Sequence, residues 1–344
     1  DFELEGYGRL THPLRYDRAS DTFRPVDWDE AFQRIGEVLR GLEPDQVEFY
    51  TSGRASNEAA YLFQLFAREY GTNNFPDCSN MCHEATSVGL PRSIGIGKGT
   101  VSLDDFDKTE LVISIGHNPG TNHPRMMGTL HELARRNVPI IVFNPLRERA
   151  LERFADPQSV IEMATYGSTD IASTYFQVKA GGDAAALKGI AKHLLEMEAE
   201  RGDVLDHAFI AEHTQGIEDF AADIAQTRWD EIERESGLSQ AALQKVADAY
   251  VKSNATIITY GMGITQHNKG TANVRLIADL LLLRGNIGKP GAGICPLRGH
   301  SNVQGNRTVG ISEKPTPAFL NRLKDVFGFE PPSHHGHDAR SEEH

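Results

Sequence analysis

Leu111-Val112-Ile113-Ser114-Ile115-Gly116-His117-Asn118-Pro119-Gly120 is the stretch that decides the fold class. Its first five residues carry no charge and are mostly β-branched, the pattern of a strand buried on both faces. The run stops at a glycine, and His-Asn-Pro-Gly then turns the chain. A helical pattern follows from about Pro124 to Arg136, and Pro139 to Phe143 is a second all-apolar strand ending in Asn144-Pro145. Continuous apolar strands separated by a helix imply a parallel, doubly wound α/β sheet.

The same reading extends outward. Trp28 to Leu42 is amphipathic, with Trp28 just before the helix and Asp29 as its cap. Val47-Glu48-Phe49-Tyr50 reads as a short strand ending in Thr51-Ser52-Gly53-Arg54, and Asn57 to Tyr70 has helical period. Downstream, Ala184 to Ala199, Asp206 to His213 and Leu238 to Lys252 (capped by Ser239) read as helices. Thr256 to Tyr260 is a strand leading into Gly261-Met262-Gly263, with a helix from about Thr271 to Leu283. Gly285, Gly288, Gly291 and Gly293 punctuate what reads as a long irregular loop, and a short helix covers about Pro317 to Phe327. The polar tail 331–344, with His334, His335, His337 and His344, reads as disordered or as cut off before its partner elements. No repeat of solenoid period is present.

The chain has 344 residues, 39% of them apolar and 24% charged, a globular composition with room for about two domains. Lys plus Arg number 35 against 48 Asp plus Glu, a net charge of −13. That balance excludes a general nucleic-acid binder, which must neutralise phosphates. It leaves room for a local basic pocket around a phosphorylated cofactor. No run reaches the roughly 18 apolar residues of a membrane helix, and no signal-peptide pattern opens the chain. The three cysteines, Cys78, Cys82 and Cys295, form no C-x-x-C pair. They exclude a disulfide framework, a Cys-ligated zinc site and a four-Cys cluster built from this chain, and the expected compartment is a reducing cytoplasm.

Ligands of open α/β sheets sit outside the carboxyl ends of the strands. Four such ends are polar or Gly-rich here: Gly53-Arg54, Gly116 to Asn122, Asn144 to Arg149 and Gly261 to His267. None carries G-x-G-x-x-G or a Walker sequence, which argues against ordinary nicotinamide binding; the Asn, His and Arg content suits a nucleotide-like ligand. Cys82-His83 lies in a polar neighbourhood. A lone cysteine is commonly a small buried hydrophobe. An adjacent histidine can lower its pKa or relay a proton, and a thiolate is a good soft-metal ligand. Arg298 sits in the polar run 296–305, where a guanidinium either is solvated or grips a carboxylate bidentately. Cys295 reads as structural. His117, His123 and His131 match no zinc spacing and read as loop histidines.

In chain order, the motifs are Gly8-Arg9-Leu10 with Pro13, Trp28-Asp29-Glu30-Ala31, Gly71-Thr72-Asn73-Asn74 and Cys82-His83 with Ser87-Val88-Gly89-Leu90. Gly116-x-Asn118-Pro119 with His123-Pro124, Gly261 to Gln266, Gly285 to Pro290 and Arg298-Gly299-x-x-Asn302-Val303-Gln304-Gly305 follow. With this ordered series the chain resembles the catalytic subunit of molybdopterin oxidoreductases, in the formate-dehydrogenase-like branch. The resemblance implies two doubly wound, mainly parallel-sheet units of the formate dehydrogenase/dimethyl sulfoxide reductase type. Residues 1–24 would be a lead-in, 25–76 plus 299–330 a discontinuous and incomplete first unit, 77–298 a second, pterin-binding unit, and 331–344 a tail. It implies a molybdenum (or tungsten) bis(molybdopterin guanine dinucleotide) cofactor, with Cys82 as the metal ligand. His83 would assist proton transfer and Arg298 would orient a substrate carboxylate.

Cofactor contacts carry over to Gly53, Arg54 and Asn57, to Gly116, Asn118, Asn122 and His123, and to Asn144, Pro145 and Arg147. Lys179, Gly181 and Asp183, Met262 and Gln266, and His300 complete the set. The implied reaction is two-electron oxidation of formate or a similar small acid to CO2 or its equivalent. The alternatives are another molybdopterin oxidoreductase with a different small substrate, and a non-catalytic binding remnant. The 4Fe-4S cluster usual in the family has no ligands here, so a cluster domain or an electron-transfer partner lies elsewhere; no nucleic acid or membrane is implied. The chain is then a piece of a longer protein. It departs from the family pattern at Asn144 (commonly Asp), at His300 (commonly Gln) and in the order Gly53-Arg54 (commonly Arg-Gly).

Overall fold

The computed structural model describes residues 2–339. It has two compact units, residues 79–301 and residues 1–78 with 302–344. The sequence places these boundaries at 76/77 and 298/299.

The 79–301 unit carries a five-stranded parallel sheet: β1 (Leu111–Ile115), β2 (Ile140–Phe143), β3 (Thr174–Phe176), β4 (Thr256–Tyr260) and β5 (Gly293–Pro296), in the order β3-β2-β1-β4-β5. Every residue of β1, β2 and β4 is buried. Strand alternation sends Leu111, Ile113, Ile115, Ile141, Phe143 and Ile258 into one core. Val112, Ile140, Val142 and Ile257 go into the other. A sheet buried on both faces needs helices on both. The first face takes α3 (Asp183–Arg201), α6 (Gln240–Lys252) and α7 (Gly270–Leu283) through Leu187, Leu194, Leu243, Val246, Ile277 and Leu281. The second takes α2 (Pro124–Arg135) through Met127, Leu130 and Leu133. Each fully buried aliphatic contributes about 1.5–3 kcal/mol. Helices α1 (Glu84–Ile94), α4 (His207–His213) and α5 (Ile217–Gln226) complete the parts used below.

The chain starts in the middle of this sheet, runs outward through β2 and β3, and returns to β4 and β5 on the other side. The strand order therefore reverses between β1 and β4, the place where open sheets bind ligands. β5 corrects the expected irregular loop. Its glycines hide a strand that forms because the paired edge of β4 supplies partners from Ile257↔Gly293 to Tyr260↔Pro296. Pairing overrides the weak propensity of Gly and Pro.

The other unit holds the hairpin Leu14–Asp17/Thr22–Pro25 and the helices Trp28–Arg40 and Asn57–Tyr70. The first helix is capped by Asp27, not Asp29, through the Glu30 N–H at 2.7 Å. A small core gathers Phe49, Ala60, Ala67, Phe75 and Ile311. Val47 to Tyr50 forms no strand; an isolated parallel bridge joins Thr51 to Asp77. The Asn74 side-chain amide donates to the Val47 carbonyl at 3.1 Å, taking an acceptor a ladder would use. Among the described residues this unit has no parallel sheet, so the α/β class rests on the 79–301 unit.

The tail also differs from its expected disorder as far as residue 339. The Asn73 amide donates to the Pro332 and His334 carbonyls at 2.8 and 2.7 Å. The His337 N–H donates to Asn74 Oδ1 and the Gly336 N–H to the Glu313 carbonyl. His344 lies outside the described residues. Among those described, no helix is long and apolar enough to cross a membrane.

Candidate active site

Because the sheet is parallel, all its carboxyl ends open on one edge. Gly116, Asn144, Gly261 and Leu297-Arg298 follow β1, β2, β4 and β5 directly. At the β1/β4 switch point the two strand ends touch through glycine. The Gly263 N–H donates to the Gly116 carbonyl at 3.1 Å, and Gly116 has φ +58°. A Cβ on Gly261 would lie 2.8 Å from the Gly116 oxygen.

The turn beyond β4 holds Cys82 in place. Thr265 Oγ1 donates to the Cys82 carbonyl at 2.6 Å, and Gln266 Nε2 to the Met81 carbonyl at 2.9 Å. Cys82 Sγ lies 3.4 Å from Met262 Sδ. Burial pushes the Cys82 thiol up, against the smaller downward pulls of the Gly299 backbone N–H and the Arg298 charge. A cation at this sulfur would reverse that balance.

His83, the next residue, is fully buried, and both its ring nitrogens are engaged. Nε2 is 2.9 Å from the Leu297 carbonyl, which can only accept, so Nε2 carries the hydrogen. Nδ1 of the neutral ring therefore accepts from Thr86 Oγ1 at 2.9 Å, and Thr86 accepts from the Tyr260 hydroxyl at 2.8 Å. The Leu297 N–H donates back to the Tyr260 carbonyl at 2.9 Å, closing a ring of contacts around the imidazole. Burial, followed by the Arg298 charge, lowers the His83 pKa to about 4, so it is neutral near pH 7.

A second relay runs alongside. His123 Nε2–H donates to the Arg298 carbonyl at 2.8 Å, so His123 Nδ1 accepts from His117 Nε2–H at 2.8 Å. His117 Nδ1 has no hydrogen-bond partner among the described residues. Burial, then His123, lowers His117 to about 3. His117 is thus a buried member of the site rather than a loop histidine. Asn144 Nδ2 anchors its carbonyl at 3.0 Å. His131 is elsewhere, on α2 against Glu162 at 2.8 Å. The Arg298 guanidinium, half-buried, donates to the Gly97 carbonyl at 3.0 Å, and His300 follows two residues on.

The remaining sequence candidates have local roles of their own. Asn118 caps the turn Pro119–Asn122 and donates to Glu148 Oε2 at 2.6 Å; Asn122 donates back to the Asn118 carbonyl. Pro145 and Arg147 are exposed beyond β2, with Arg147 paired to Glu152 at 2.6 Å. After β3, Lys179 donates to the Arg234 carbonyl, a Cβ on Gly181 would lie 3.1 Å from His267 Nε2, and burial raises the Asp183 pKa. Gly53, Arg54 and Asn57 belong to the other unit. There the Gly53 N–H points to Cys78 Sγ at 3.1 Å and Asn302 bridges to Asn57 Oδ1 at 2.9 Å.

Sequence reading passes over the roles of Thr86 and Tyr260 and reads His117 as a loop histidine. Thr86 stands one helical turn after His83, and Tyr260 ends a strand whose next residues were singled out. The pairing of His117 with His123 depends on the turn between them.

With this arrangement in view, the relationships are plain. A family model described as "Molybdopterin oxidoreductase" matches residues 9–333, and the chain belongs to that family. It is 59% identical over 345 residues to "Protein YdeP" of Escherichia coli (strain K12), covering 98% of this chain and 46% of that one. It is 31% identical over 307 residues to "Putative formate dehydrogenase SAR2393" of Staphylococcus aureus (strain MRSA252), covering 88% and 29%. The solved structure of "Acetylene Hydratase from Pelobacter acetylenicus" superposes with TM-score 0.66 at 18% identity, over 83% of this chain and 37% of that one. That likeness establishes the fold. The chain spans about half the length of the YdeP sequence it matches.

Proposed function

We propose that this chain is the pterin-binding core of an enzyme that oxidises formate, or a similarly small carboxylic acid, by two electrons. The observation that carries the reading is that Cys82, His83 and Arg298 converge on one edge of the sheet, at its switch point. The relative titled as a putative formate dehydrogenase supports the substrate class.

The donor set fits a molybdenum or tungsten ion carried by its own organic ligand. Among the described residues no group of three His, Cys, Asp or Glu could hold a metal with side chains alone. Cys82 offers one soft sulfur donor, suited to a metal whose other ligands come from pterins. In this reading the cofactor is the bis(molybdopterin guanine dinucleotide) form, and the side-chain amides of Asn118, Asn122 and Gln266 suit the edges of its ring systems. When bound, the group supplies the two-electron acceptor.

The protein's part is orientation and proton handling. Arg298 grips the carboxylate and fixes its C–H bond. Formate yields CO2, one proton and two electrons. His83 begins neutral, and proton uptake at its Nδ1 would reverse the chain, Nδ1–H donating to Thr86 Oγ1 and the Thr86 hydroxyl donating to the Tyr260 oxygen. The chain carries no four-cysteine set, so the electrons pass to an acceptor held elsewhere. The test is Arg298→Ala in the full-length enzyme. The reading expects KM for formate to rise about 100-fold, in line with a lost charge-assisted pair. Unchanged KM and kcat would contradict it.

A further inference from the structure

The 79–301 unit contains a cavity of about 590 Å3 that none of the candidate active-site residues line. Its volume is in the range of small-molecule sites. Helix α7 contributes one stripe, Ala272, Arg275, Leu276, Asp279 and Leu283, at helical spacing. Ile210 of α4 and Phe220 of α5 extend the apolar floor formed by Leu276 and Leu283.

The charges in this cavity do not balance. Lys188 of α3 is paired with Asp223 of α5 at 2.8 Å. That leaves Asp219 and Asp279 facing a single cation, Arg275. Asp279 is half-buried midway along α7 and makes no hydrogen bond or ion pair with the described residues. Burial raises its pKa to about 6, against a smaller pull from Arg275, so it is ionised near pH 7. A partly desolvated carboxylate with no hydrogen-bond or ion-pair partner is costly, and a ligand cation relieves that cost. An anion would meet two carboxylates, and a neutral ligand would leave Asp279 unpaired.

We propose that this cavity binds a small amphiphilic ammonium compound, with the ammonium on Asp279 and an aliphatic or aromatic body on Ile210, Phe220, Leu276 and Leu283. The site is independent of the metal chemistry proposed above, so its test needs no cofactor.

Calorimetric titration of the full-length protein with phenethylammonium, phenylacetate and 2-phenylethanol decides the matter. The cation is expected to bind, with the anion and the alcohol at least tenfold weaker. Asp279→Asn should weaken the cation at least tenfold while keeping the far-UV spectrum and melting temperature, since it removes an unpaired charge. Ala272→Trp, at the exposed rim, should block binding from outside the core. Equal binding of phenylacetate, an unaltered affinity in Asp279→Asn, or no binding of the cation at about 10 mM would overturn the proposal.

Discussion

Gly116 and Gly263 lie backbone against backbone, so closely that a Cβ on Gly263 would stand 2.8 Å from the Gly116 Cα. This contact brings the ends of β1 and β4 together at the point where the strand order reverses. Gly263→Ala should therefore push the two strand ends apart, at about 1–3 kcal/mol of stability. Gly128→Ala is the control: it lies on the exposed face of helix α2 with nothing within 4 Å of its Cβ position. It should be neutral or stabilising by up to about 1 kcal/mol. Urea unfolding of both variants checks this, and a Gly263→Ala curve that overlays the parent would contradict the packing argument.

The Tyr260–Thr86–His83 chain gives a second expectation. Thr86→Val leaves His83 Nδ1 and the Tyr260 hydroxyl without their shared partner in a buried site. It should cost about 1–3 kcal/mol. Thr86→Ser retains the hydroxyl and should behave like the parent. The imidazole 15N shifts should report a single Nε2–H tautomer in the parent and Thr86→Ser, and a mixture in Thr86→Val. Turnover in the full-length enzyme should fall about tenfold or more with the valine alone. Identical ring shifts in all three proteins would remove Thr86 from this role.

Acid should destabilise the fold through His117. Its folded pKa, about 3, lies below the ordinary 6.5, so the unfolded chain binds the proton first. Above pH 6.5 both states are neutral there and nothing is lost. As pH falls from 6.5 toward 3, stability drops, by about 1–2 kcal/mol between pH 6.5 and 5 from this group alone. His117→Gln keeps a donor toward His123 but does not titrate, so its unfolding free energy should be flatter across that window. Equal slopes in parent and variant would show that His117 is not held neutral by the fold.

The sheet was legible because β1, β2 and β4 have no polar face to disguise them, and their flanking turns are marked by glycine, asparagine and proline. β5 was not, since four residues containing Gly and Pro carry no pattern of their own and become a strand only against Ile257 to Tyr260. The failed strand at 47–50 has the opposite cause: three of its four residues have good strand propensity, but the Val47 acceptor is taken by the Asn74 side chain. The tail misled for a similar reason. Its polarity suggests solvent, yet backbone groups of residues 332–337 are held by Asn73, Asn74 and Glu313. In the site, Cys82, His83 and Arg298 stood out by their local context. The Tyr260 hydroxyl is hydrogen-bonded to His83 through Thr86, a link no spacing announces, and His117 becomes a partner of His123 only once the turn at Pro119 folds back.

The central claim, that Cys82 anchors a metal held by two pterin guanine dinucleotides, is tested most directly by elemental analysis for molybdenum and tungsten together with acid-released GMP. The measurement is made on this chain and on the full-length protein, each with and without Cys82→Ser. The account predicts about one metal and two GMP per full-length chain, with formate oxidation lost in the Cys82→Ser variant. A folded full-length protein with neither metal nor GMP, produced where the insertion machinery is active, would contradict it and leave a non-catalytic binding role for the fold.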